Sequence, residues 1–223
     1  MVCNMLSLSI FSSSKSVSLA VSKEKKIIKF IEKNDNQVNK SNTLLILIQN
    51  VLKEYELSLF KNIIFSRGPG GFTSIRSLIA ISQGLCLNSN INLLSVTTFE
   101  LFLCQLMPKK GVTLICFKES RRDFYYQFYI YDDGEWKKIS KIFSGLSNEI
   151  KKKIIFFSKK NKVQEINVVT DSLVYNLNNL LGTNCEQIDV NATSVSKSFF
   201  IGYAKNTIRP IYHHPHYAKR NTI

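Results

Sequence analysis

Histidine is scarce in this chain, and acid is outnumbered by base. Its three histidines, His213, His214 and His216, all stand in the C-terminal tail. His214 and His216 have no cysteine or carboxylate beside them, so the ligand set is incomplete and reads as an exposed tail. Asp and Glu number 16 against 30 Lys and Arg. Of the acids, Asp132 and Asp133 precede Gly134 as turn residues rather than as an acid-base pair, and Asp171 closes a strand without an assigned role. There is no Cys-x-x-Cys pair among Cys3, Cys86, Cys104, Cys116 and Cys185, most of which lie in apolar runs. They read as reduced core residues of a cytoplasmic protein. No apolar run reaches the roughly 20 residues that span a bilayer, and Met1 to Ile10 lacks a basic leader, which predicts a soluble protein without membrane association.

What is present is a chain of 223 residues, 44% hydrophobic, enough for one or two domains with a core. The net charge of +14 suits an acidic partner such as RNA. The lysines are nevertheless spread along the chain among abundant Asn and Ile. Their densest cluster, Lys151, Lys152, Lys153, Lys159, Lys160 and Lys162, reads as the solvated face of a helix.

Hydrophobic patterning predicts strands at Met5 to Phe11, Ser16 to Val21 and Lys26 to Glu32, then a polar loop and a helix from Ser41 to about Glu56. A strand at Asn62 to Ser66 leads into Arg67-Gly68-Pro69-Gly70-Gly71-Phe72-Thr73-Ser74-Ile75-Arg76, followed by a helix carrying Ile75, Leu78, Ile79, Leu85 and Cys86 at helical spacing. A strand at Leu93 to Val96 and a helix from Thr98 to about Leu106 follow. Pro108-Lys109-Lys110-Gly111 marks a domain boundary. Beyond it come strands at Val112 to Phe117 and Phe124 to Tyr131, a hairpin turn at Asp132-Asp133-Gly134, a helix from Glu149 to Lys160, a strand at Ile166 to Thr170 and a helix from Ser194 to Asn206.

The glycine turn, Gly68, Pro69, Gly70, Gly71, Phe72, Thr73 and Arg76, can present backbone amides to an anion at the start of the following helix. It lacks the Gly-Lys-Ser/Thr ending of a Walker loop and the spacing of a dinucleotide fingerprint, so a turn that merely packs helix on sheet is the other reading. Arg76, Arg121 and Arg122 can bind phosphate or pair with surface carboxylates.

Written out to Phe102, this segment resembles the TsaB (YeaZ) family, non-catalytic partners in the bacterial machinery that makes threonylcarbamoyladenosine in tRNA. That family carries a Gly-Pro-Gly-Ser-Phe-Thr-Gly-Leu-Arg turn, here Gly68 to Arg76. Its Lys-Gly-Leu stands as Gln83-Gly84-Leu85, and its Val-Ser-Ser-Leu-Glu as Val96-Thr97-Thr98-Phe99-Glu100. Ser16-Val17-Ser18-Leu19, Glu119-Ser120-Arg121-Arg122 and Pro210-Ile211-Tyr212 match more weakly, and Ser140 to Ser196 has no match. The Asp that usually ends the family's first strand is Ser9 here, a departure that bears on any metal-nucleotide role for that turn.

The resemblance implies an α/β protein of two ribonuclease-H-like, actin-type lobes, each a mixed sheet with flanking helices. Residues 1–107 would form the N-terminal lobe and 108–223 a reduced second one. It also implies no catalytic site and no cofactor of its own, with ATP and a metal on partner subunits. TsaD and the ATPase TsaE would be those partners, a homodimer an alternative, and tRNA would be reached through the complex. The catalytic relative TsaD binds its metal with a His-x-x-x-His helix that would align with Ser41 to Glu56, where no histidine occurs.

That helix is apolar nearly all round in its first turns, and the helix after the glycine turn carries Ile81 and Leu87 off its main stripe. Either these helices are buried or their second faces meet another chain. In the resembled family they meet a second subunit, so Leu45, Ile48, Leu52, Leu78 and Ile81 are expected to lie partly exposed and to form the interface. Two alternatives stand beside this reading: an active actin-type ATP-binding enzyme or metallopeptidase-like protein, against which Ser9 and the missing histidine pair argue, and a stand-alone tRNA-binding module, suggested by the charge.

Overall fold

Strand β1 (Leu6–Ser12) is buried on both faces, and the two faces differ in chemistry. Leu6, Leu8 and Ile10 enter an apolar core, whereas Ser7 and Ser9 alternate with them on the opposite side. The computed structural model describes residues 5–13, 15–34, 40–118, 123–171 and 185–211. Cys3, Glu119 to Arg122, Tyr212 and the three histidines lie outside them.

Around β1 run β2 (Ser16–Lys23), β3 (Lys26–Asn34), β4 (Phe60–Ser66) and β5 (Asn92–Val96), in the order β3-β2-β1-β4-β5. The first three are antiparallel, and β1, β4 and β5 are parallel. This is the ribonuclease-H-like arrangement. Helices α1 (Lys40–Glu54) and α2 (Phe72–Cys86) cover the leucine face through Leu44, Leu47, Ile48, Val51 and Leu78. Each such side chain, fully buried, stabilises the fold by about 1.5–3 kcal/mol. The opposite face is covered by α3 (Thr98–Leu103) and by a helix from far along the chain, α5 (Ala192–Phe200). Leu101, Ala192 and Val195 join Phe11, Ala20, Ile64 and Val96 there.

A second sheet repeats the plan. Strands β6 (Val112–Lys118), β7 (Phe124–Asp132), β8 (Glu135–Lys138), β10 (Ile166–Thr170) and β11 (Cys185–Gln187) stand in the order β11-β10-β6-β7-β8, with β9 (Phe143–Gly145) added on β7. Again a central strand has antiparallel neighbours on one side and parallel ones on the other. The reduction lies in the outer strands, four residues in β8 and three in β11. Helix α4 (Ser147–Asn161) covers one face with Ile150 and Phe157, the latter stacked 4.1 Å from Phe128. The β7–β8 hairpin turns at Asp133 and Gly134, both with positive φ, as the Asp-Gly pair demands.

Two boundaries differ from the expectations. The division falls after Cys104, and Val190–Ile211 belongs with the first unit, so that Gln105–Asp189 is the second. The cause is α5, whose small apolar face packs on the first sheet. That helix also starts earlier and ends sooner than expected. Asn191 caps it by accepting from the Thr193 amide at 2.9 Å, and Gly202, at φ 87°, turns the chain away after it.

Candidate functional site: the glycine turn and the α1–α2 face

The glycine turn and the Val96 to Glu100 motif, far apart in sequence, form one piece of structure. The Thr98 amide donates to Gly68 O at 2.8 Å and its hydroxyl to Pro69 O at 2.7 Å. Arg67 N donates to Val96 O at 2.9 Å, and Ile211 N to Arg67 O at 3.0 Å. Thr97 caps α3 in a reciprocal box: its hydroxyl accepts from the Glu100 amide at 3.2 Å while the Glu100 carboxylate accepts from the Thr97 amide at 2.6 Å. Thr98, whose role the sequence did not reveal, is therefore the clamp that sets where α2 begins. Gly68 is required here, since its φ is 96° and a Cβ would stand 2.7 Å from Ile75 Cδ1.

The Arg67, Gly68 and Pro69 carbonyls are thus taken up within the fold. Gly71, at the N-cap of α2, has no side chain with which to cap the helix. This end of the helix opens on a cleft of about 330 Å³ lined by Ser12, Lys40, Ser41, Leu44, Thr73, Ser74 and Ser77. Lys40 Nζ donates to Ser13 O at 2.7 Å. Arg76 is exposed, with its guanidinium carbon 3.8 Å above the Phe72 ring centre.

The actin-type fold raises the question of a metal-bound nucleotide beside β1, where the position of the family's Asp is taken by Ser9, in the middle of the strand. That residue does not fit one. Ser9 is fully buried, and Ser196 of α5 lies over it and donates to its hydroxyl at 2.8 Å. A neutral hydroxyl under a packed helix offers neither the charge nor the open approach that a hydrated cation needs.

The expected interface residues divide. Leu45 is exposed, and Leu52 and Ile81 are half-buried. Ile48 and Leu78, at 3% and 1% exposure, are core residues, a correction that follows from their positions on the sheet-facing stripes of α1 and α2. Ile46 replaces them on the outer face. Leu45 and Ile46 are each 45% exposed, and Leu87 at the end of α2 is 74% exposed. The two helices touch, and the Ser41 and Ser77 hydroxyls bond at 2.7 Å. Gly84 stands on the open side of α2 with nothing within 4 Å of where its Cβ would be, and its φ is not one that requires glycine. Among the described residues no helix is long and apolar enough to cross a membrane.

Residues 35–141 match the family model described as "TsaD: tRNA N6-adenosine threonylcarbamoyltransferase". In structure the chain is similar to YeaZ from Pseudomonas aeruginosa, with a TM-score of 0.66 and 17% identity, over 94% of this chain and 100% of that one. It is similar as well to a protein described as uncharacterized, with similarity to peptidase YEAZ from Pseudomonas aeruginosa. There the TM-score is 0.66 and the identity 16%, over 93% of this chain and 99% of the other. No curated protein matches in sequence. At these identities the structural likeness is one of fold.

Proposed function

We propose, from TsaD-family sequence over residues 35–141 and a YeaZ fold over nearly the whole chain, that this protein is a non-catalytic subunit of a threonylcarbamoyladenosine-synthesising complex. It pairs with a TsaD-type transferase and holds it in its active form. Transfer of the threonylcarbamoyl group to the adenosine next to the tRNA anticodon takes place on that partner. ATP and metal belong to TsaD and to the ATPase TsaE, and tRNA is reached through the assembled complex in the cytoplasm.

The observation that carries this reading is the outer face of α1 and α2. Leu45, Ile46, Ile81 and Leu87 leave apolar surface in water on two neighbouring helices. Gly84 supports it from the opposite direction. Glycine within a helix costs about 0.5–1 kcal/mol relative to alanine, and no described residue comes close enough to require it there. A second helix approaching α2 closely gives its bareness a use. The buried Ser9 weighs against a metal-nucleotide site at that position of β1.

Co-expression with the host's TsaD followed by size-exclusion chromatography tests the pairing, with a stable heterodimer as the expected result. A chain that elutes alone, or only as its own dimer, opposes it. Titration of the isolated protein with Mg-ATP tests the enzymatic alternative, for which tight binding with turnover is the requirement.

A further inference from the structure

We propose that the outer face of α4 binds single-stranded nucleic acid, with Phe156 stacking on an unpaired base and the lysines around it neutralising the flanking phosphates. Between Lys151 and Lys162 there are six lysines and no acid. Glu149, one turn earlier, has its carboxylate engaged by the Leu146 amide at 3.1 Å. Only Ile150 and Phe157 of this helix are buried in the core. Lys151, Lys152, Ile155, Phe156, Lys159 and Lys160 are exposed, and their spacing aligns them in two parallel rows. Ile155 lies between Lys151 and Lys159 in one row, and Phe156 between Lys152 and Lys160 in the other. Each lysine is about 6 Å along the axis from the apolar residue it flanks, since four residues rise 1.5 Å each.

A solvated lysine face has no need of an aromatic ring. Phe156 is 54% exposed, and its ring is held edge-on by Phe157, 5.2 Å away, rather than folded down onto the sheet. Lys153 lies 4.7 Å from the Phe143 ring centre and 5.9 Å from that of Phe156, which extends the positive surface toward β9 and Lys141. A cationic surface with a presented aromatic face is the chemistry of single-strand binding, because every base has a π-face while the lysines track the backbone. The competing polyanion, an acidic membrane surface, requires a broad apolar stripe, whereas the large apolar side chains that α4 leaves exposed are only Ile155 and Phe156. This inference stands on α4 alone and does not require the TsaD reading.

The test is fluorescence anisotropy of a short labelled oligouridylate with the full chain, at salt between about 50 and 200 mM. Oligothymidylate, an RNA duplex and phosphatidylglycerol vesicles serve as parallel probes. Binding of the single strands is expected, with a salt slope near −3 if about four phosphates are neutralised. Tighter binding of oligouridylate assigns the face to RNA, and equal binding assigns it to any single strand. Phe156→Ala should weaken single-strand binding by about tenfold or more while leaving the duplex unaffected. Lys152→Gln with Lys160→Gln should flatten the slope. All three side chains are on the surface, so these variants fold, and Phe156→Trp should show quenched emission on binding. The proposal is overturned if Phe156→Ala binds as the parent does, if substituting Lys23, Lys25 and Lys26 weakens binding equally, or if vesicles bind and oligonucleotides do not.

Discussion

The Ser196 hydroxyl donates to the Ser9 hydroxyl at 2.8 Å, joining α5 to β1, and both residues are fully buried. Ser18 repeats the pattern one strand over, where its hydroxyl accepts from the Ala192 amide at 2.9 Å and so satisfies the start of α5. Small hydroxyls on both surfaces let helix and sheet approach closely while every buried polar group named here keeps a partner.

Ser9→Asp is therefore expected to destabilise the protein rather than to create a metal site. It places a carboxylate under α5 against the Ser196 hydroxyl, at a cost on the order of 3–5 kcal/mol. Thermal unfolding followed by circular dichroism reads the effect. A Tm equal to the parent's, or one restored by added Mg²⁺, would contradict the account of a sealed site.

The two faces of α1 and α2 should respond oppositely to charge. Leu45→Asp on α1 and Leu87→Asp at the end of α2 act on exposed side chains, so the isolated chain keeps its Tm, while pull-down of TsaD falls by tenfold or more, about 1.4 kcal/mol in binding. Ile48→Asp and Leu78→Asp bury a charge and unfold the first unit whether or not TsaD is present. Intact complex formation by the first pair would remove this face as the interface.

Gly84→Ala separates the needs of the fold from those of the partner. With open space around the position, alanine should stabilise the free chain by about 0.5–1 kcal/mol. The same methyl should weaken the complex if a second helix seats against α2. A gain in Tm with no change in affinity would mean that nothing docks there.

Most strands were legible because their two-residue alternation is a strong signal. Ile166 to Thr170 was read residue for residue, while β9 and β11 escaped, being three residues each and too short for any period to register. On helices the apolar excess was legible but its direction was not. Leu45 and Ile48 are both apolar and one turn apart in sequence, and only packing on the sheet shows that the second is core. The return of α5 to the first unit rests on contacts such as Ser9 with Ser196, which no local pattern contains. The glycine turn and the Val96 to Glu100 motif were each visible, but their junction through Thr98 was not.

That junction is open to a direct test. Thr98→Val keeps the side-chain volume but removes the hydroxyl bonded to Pro69 O and close to Ser66 Oγ at 3.2 Å. Leaving these buried groups short of a partner should cost about 1–3 kcal/mol and loosen the start of α2. Amide hydrogen exchange in Ile75 to Leu78, where the amides bonded within α2 begin, should rise more than exchange in β10. Uniform or unchanged exchange would show that Thr98 does not set the turn.

Alkaline pH should weaken the second unit through Cys116. Burial raises its thiol well above the ordinary value of 9.0, with Asp171 and Cys185 adding to the shift. Burial likewise pushes Tyr126 up to about 12. Below pH 9.0 both folded and unfolded chains hold the Cys116 proton, so it contributes no pH dependence. Above 9.0 the unfolded chain releases the proton and the folded one keeps it. Stability then falls as pH rises, by up to about 1.4 kcal/mol per pH unit for this one group, until the folded pKa is passed. Trp136 is the single tryptophan and lies on β8 of the same unit, so its emission in urea titrations reports the relevant unfolding. Cys116→Val should flatten the loss between pH 9 and 10 and leave pH 7 stability nearly unchanged. Parallel pH profiles for variant and parent would show that the thiol is not the group that titrates.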